Sequence, residues 1–128
     1  MKVKHRETRD VVCAAVTGSR DRPSELVVGL PANGELRVVG RTTPLRPRDA
    51  RMLGELLEPP AAGHPWPEVV KPGALNRYNR DRGPVTLTLV DPIVVEISAD
   101  VAMLGGSFRH AVRFVRARPD VPVAEVTG

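Results

Sequence analysis

"ELVVGLPANGELRVVGR", residues 25–41, decides the fold. Two apolar, β-branched runs flank Asn33-Gly34, and Asn-Gly between such runs is the strongest short-range hairpin signal. The stretch predicts antiparallel strands over 25–31 and 36–41. Upstream, "RDVVCAAVT" (9–17) is continuously apolar rather than alternating, as in a strand buried on both faces. The turn-rich "GSRDRPS" closes it. Downstream the period changes. Leu45, Met52, Leu53, Leu56 and Leu57 recur at helical spacing, Pro47 suits a first turn, and Pro59-Pro60 forbid continuation. One helix is therefore predicted over 46–57.

Residues 59–83 read as irregular, because prolines 59, 60, 65, 67 and 72 prevent regular pairing through most of the segment. Loops this long in a small domain are commonly functional or mobile. "PVTLTLV" (84–90) predicts a fourth strand. "IVVEISA" (93–99) is a fifth strand, or the far side of a bulge at Asp91-Pro92, since Pro92 has no N–H for a ladder. "FRHAVRFVRARPD" (108–120) is expected to end the ordered part, with 121–128 as a fraying tail. Strands with a single helix after the third predict an all-β protein, a five-stranded Greek-key barrel of the OB type. An SH3-like barrel is the alternative.

The 128 residues suit one domain. Net charge is +4, and 16 of the 19 cations are arginine, whose planar fork suits phosphate. The lone Cys13 excludes an internal disulfide and reads as a core residue. No signal-peptide pattern opens the sequence and no run approaches the ~18 apolar residues of a membrane span. A cytoplasmic monomer without membrane contact is expected. His5, His64 and His110 lack companion ligands at metal spacing, so no metal site is expected. No Gly-Lys-Ser/Thr phosphate loop occurs, Ser107 lacks a strand-to-helix elbow, and Glu7, Asp10, Asp91, Glu96 and Asp100 show no paired spacing. These absences argue for a binding or accessory domain without catalytic residues of its own.

Three basic stretches stand out. "KVKH" places Lys2 and Lys4 on one side of a strip that a core cannot absorb. "NRYNRDR" sets Tyr78 among Arg77, Arg80 and Arg82, an arrangement for stacking a base between phosphate contacts, or a solvated polar turn. In "RFVRARPD", an extended strand puts Phe114, Arg116 and Arg118 on one face. Neighbouring guanidiniums repel unless an anion lies between them. Asp120 could neutralise one, and a phosphate could bridge both. A solvated basic face explains the same pattern. Glu96, among apolar neighbours, either faces solvent or is held by an arginine across the sheet.

These stretches, in this order around an OB-like body, resemble the C-terminal domain of ATP-dependent DNA ligases, notably bacterial ligases of the DNA-repair type. In that family a Lys-x-Lys strip ends the nucleotidyltransferase core, and the OB domain closes on Arg-x-Asp-Lys. Lys2 and Lys4 match the strip; Arg118 and Asp120 match the closing motif, with Val121 in place of its lysine. "LRVVGRTTPL", containing Arg41, looks like the family's glycine-arginine turn, and "LVDPIVVEISAD" like its Pro-then-Glu strand.

The resemblance implies that 1–8 end a nucleotidyltransferase domain and that 9–120 form the OB domain. It implies that Lys2, Lys4, Arg118 and Asp120 serve the nucleotide phosphates. By the same reading Arg41, Arg77, Tyr78, Arg80, Arg82 and Arg116 serve DNA. Expected partners are nicked duplex DNA and a nucleotidyltransferase domain in cis or in trans, with ATP and Mg2+ used by the complete ligase and no cofactor held by this chain alone. The family's adenylated Lys-x-Asp-Gly is absent, since the "KPGA" at Lys71 does not match it. The isolated chain is expected to be inactive. A free-standing module for single-stranded nucleic acid is the competing reading.

Overall fold

Every side chain of the apolar run 11–16 is fully buried, because strands flank it on both sides. The computed structural model describes residues 6–32, 34–60, 66, 69–70, 85–100, 103–104, 107–108 and 111–126. Along the chain come β1 (Arg6–Gly18), β2 (Pro23–Ala32), β3 (Glu35–Arg41), helix α1 (Pro47–Leu56), and the short strands β4 (Val69–Val70) and β5 (Val85–Thr86). Then follow β6 (Thr88–Asp100), the short β7 (Met103–Leu104) and β8 (Ser107–Phe108), and β9 (Arg113–Ala117). The main sheet has five antiparallel strands in the order β3-β2-β1-β6-β9. With one helix, this is a mostly-β, OB-like arrangement. Among the described residues the sheet does not close as a continuous barrel: Thr42 and Val112 form a single parallel bridge between its two edges.

The predicted hairpin is present. Ala32 pairs with Glu35, and Gly34 between them has φ +79°, a conformation that costs glycine nothing. The helix also forms as expected, within a residue at each end. It buries Leu53, and Leu57 just beyond it, while Met52 stays 41% exposed. Its C-terminal N–H, from Leu57, donates to the Leu53 carbonyl at 2.8 Å before the two prolines.

The fourth and fifth predicted strands are largely one strand. Cys13 pairs with Ile93 and Ala15 with Leu89, so Val90, Asp91 and Pro92 stand opposite Ala14 alone. This irregularity takes Pro92 out of the ladder, and β6 runs on past it. The freed Asp91 N–H donates to the Glu58 carbonyl at 3.0 Å, which fastens the bulge to the end of the helix region.

One further expectation is extended and one is corrected. The segment 59–83 contributes to the core through Trp66, which is 6% exposed and donates from Nε1 to the Leu36 carbonyl at 2.8 Å. It packs with Ala14, Ala15, Val27 and Leu87 in a second cluster. A Cβ on Gly29 would lie 2.5 Å from the Trp66 ring, so glycine is what lets the indole approach. Nor does the C-terminal segment fray at 121. A 3-10 turn at Val123–Glu125 turns Val126, 7% exposed, into the main cluster with Leu26, Val94 and Ile97. Burying apolar surface outweighs the ordering of so few residues.

Candidate functional site: a carboxylate and arginine cluster at the end of the last strand

Asp10 on β1 lies directly opposite Glu96 on β6. These carboxylates are 86 positions apart in sequence, and only strand pairing makes them neighbours. Like charges facing each other across a sheet repel, so the pair requires cations. β9 supplies them. Glu96 pairs with Arg116 in the ladder, and Arg116 Nε donates to Glu96 Oε1 at 2.7 Å. Arg118 reaches Asp10 at 3.6 Å, Glu96 at 3.9 Å and Asp120 at 3.9 Å.

The strand does not present its residues as simple alternation predicts. Ile97 pairs with Phe114 while Glu96 pairs with Arg116, so Val115 is an extra residue in β9. The bulge reverses the alternation at that point. Phe114 therefore turns toward the core, where it packs half-buried, and does not share a face with Arg116. Arg116 and Arg118 do share one, across Glu96.

The two arginines are held differently. Arg116 makes a short, charge-assisted hydrogen bond to Glu96, although its side chain is 62% exposed. Arg118, 27% exposed, sits among three carboxylates without a hydrogen bond to any of them. Its guanidinium is thus oriented but not locked. Open concavities adjoin it: one of about 220 Å³ lined by Thr8, Arg9, Asp10, Glu96, Arg116 and Arg118, another of about 380 Å³ reaching Val121 and Glu125.

The hydrogen bond from Arg116, with weaker help from Thr8 and Arg118, holds the Glu96 carboxyl below its ordinary range and opposes the effect of desolvation. Glu96 in turn keeps Arg116 firmly protonated. A carboxyl with a depressed folded pKa stabilises the fold above its unfolded pKa of about 4.3, and loses that contribution as pH falls through the folded value. Glu96→Gln and Arg116→Ala should each melt below the parent at neutral pH, with the gap shrinking toward pH 3. Melts followed by circular dichroism between pH 3 and 8 check this; a gap that does not change with pH would show that the pair is not what the substitutions remove.

Of the other predicted residues, Arg41 sits 12% exposed beside Glu25 at 3.7 Å. Its carbonyl accepts the Val112 N–H at 2.9 Å, where the sheet edges meet. Lys2, Lys4, Arg77, Tyr78, Arg80 and Arg82 lie outside the described residues. Cys13 is fully buried, which pushes its thiol pKa up to about 12, and it donates to the Ala15 carbonyl, as suits a core residue. Among the described residues, no three His, Cys, Asp or Glu side chains converge where a metal ion could sit, and no helix is long and apolar enough to cross a membrane. Asp10 was not legible as a site residue, because its partner is set by strand register. For Glu96 the sequence left solvent or an arginine across the sheet, and the structure shows the arginine, Arg116.

No family model matches the sequence, and no curated protein does. Solved structures are similar over nearly the whole chain. The ligase domain of LigD from M. tuberculosis matches with TM-score 0.70 and 27% identity over 97% of this chain. Mycobacterial DNA ligase D complexed with ATP and MES matches with TM-score 0.68 and 25% identity over 96%. The chain spans only 39% and 38% of those two chains. Its structural neighbours are thus the ligase domain of a mycobacterial ATP-dependent DNA ligase, of which it matches somewhat more than a third.

Proposed function

We propose that this chain is the C-terminal OB-fold, DNA-binding domain of an ATP-dependent DNA ligase. The observation that carries the reading is the similarity to the LigD ligase domain along 97% of the chain. The fold proposed is a five-stranded Greek-key barrel, with the Thr42–Val112 bridge as its seam. In this reading the domain takes two poses against a nucleotidyltransferase domain. In one, Arg118 and Asp120 face the nucleotide and orient its outgoing pyrophosphate, with Lys2 and Lys4 near the α-phosphate. Arg118 suits that task because its side chain is held by no hydrogen bond among the described residues, so a phosphate can replace its carboxylate neighbours. In the other, the barrel clamps nicked duplex DNA through arginine contacts to phosphate.

The single-strand module is the weaker reading. Of four aromatic side chains, Trp66 is buried and Phe114 packs against the core, leaving few rings for a stacking platform.

The chain alone, incubated with labelled ATP and Mg2+, should form no covalent adenylate, because it has no Lys-x-Asp-Gly. Joined to a nucleotidyltransferase domain that carries that motif, it should support adenylation and sealing of a nicked duplex. A labelled band from the isolated chain on a denaturing gel would overturn the proposal.

A further inference from the structure

The cluster around Arg118 is nearly neutral: Arg116 and Arg118 face Asp10, Glu96 and Asp120. Such a balance adds little long-range attraction for a DNA backbone. The unneutralised charge lies elsewhere. A cavity of about 410 Å³ opens between the start of α1 and the start of β9, lined by Thr43–Leu45, Arg46, Arg48, Asp49 and Arg113–Val115. Arg46, Arg48 and Arg113 are exposed, and none has an ion-pair partner among the described residues. Among the described lining residues, Asp49 alone opposes their three charges.

The walls are fixed by backbone hydrogen bonds. Thr43 N–H donates to the Val112 carbonyl at 2.8 Å and Leu45 N–H to the Ser24 carbonyl at 2.8 Å. These bonds set the arginines of the helix start beside the arginine of β9. The helix contributes its positive end on the same side. The bulge in β9 leaves Val115 44% exposed at the rim, an apolar surface that a sugar can cover.

We infer that the cavity formed by Arg46, Arg48 and Arg113 is the domain's main docking site for the phosphate backbone of duplex DNA. The inference rests on the ligase reading, and goes beyond it by placing that contact on residues other than Arg116 and Arg118. Three exposed guanidiniums carried on a hydrogen-bonded backbone rim meet phosphates by charge and hydrogen bonding, without reading base sequence. Arg118 is thereby left for the nucleotide.

The test uses this chain and a fluorescein-labelled nicked duplex, with anisotropy titrations at several salt concentrations. R46A/R48A/R113A is compared with R22A/R37A/R51A, which removes the same charge from exposed arginines outside the cavity. The cavity variant should bind about tenfold or more weakly, and its slope of log affinity against log salt should shrink by about 2–3. The control should keep most of both. Equal losses in the two variants would mean that net charge alone governs binding, which overturns the inference and leaves the ligase reading standing. Absence of duplex binding by the parent at low salt, or preference for a single strand, would overturn the ligase reading and the inference with it. Should the triple variant melt early, Arg113→Glu against Arg22→Glu makes the same comparison with single changes, and equal effects there again overturn the inference.

Discussion

Replacing Trp66 by alanine will destabilise the fold by about 3–5 kcal/mol, the usual cost of deleting a buried aromatic. The indole is 6% exposed and is the largest member of the second cluster. It lies over Gly29, so the void would open onto the backbone of β2, with no side chain there to fill it. The change also strips the Leu36 carbonyl of its indole donor. Urea denaturation followed by circular dichroism measures the loss. Trp66→Phe should retain much of the packing and lose chiefly the hydrogen bond. A loss below about 1 kcal/mol for Trp66→Ala would mean that the indole does not hold this half of the sheet together.

Arg118→Ala will leave the domain folded, because its contacts are partly exposed ion pairs at 3.6–3.9 Å and such pairs contribute little. In a chain joined to a nucleotidyltransferase domain, the substitution should slow adenylation by ATP by about a hundredfold, the scale seen when one donor to developing charge is removed. Sealing of a nick that already carries the adenylate should proceed at the parent rate, since in the proposed role Arg118 serves the pyrophosphate, which has left by then. Single-turnover assays of the two steps separate these outcomes. Equal slowing of both steps would place Arg118 on the DNA; unfolding with adenylation per folded molecule unchanged would make it structural.

The two substitutions fall on residues that the sequence presents very unequally. Arg118 stands in "RFVRARPD", whose resemblance to a family's closing motif draws attention to it from its neighbours along the chain alone. Trp66 sits among prolines, in a stretch whose pattern reads as loop, and nothing local shows that it covers Gly29. The carboxylates that orient Arg118 are likewise a product of folding. Asp10 and Glu96 meet only because β1 and β6 pair in one register, and a shift of one residue would turn either side chain to the opposite face.

What the sequence determined by itself is what neighbours along the chain control. Asn33-Gly34 between two apolar runs specified the hairpin, the 3.6 spacing of leucines before Pro59-Pro60 specified the helix, and the unbroken run 11–16 specified a strand buried on both faces. Backbone sterics and local periodicity suffice for each. The tertiary structure alone decided the rest. It ran β6 straight past Pro92, turned Phe114 inward with the Val115 bulge, packed Val126 into the core, and brought Arg46 and Arg48 beside Arg113. The reason is that bulges and registers answer to the strand across the ladder and to the core beneath it, and those partners lie tens of residues away.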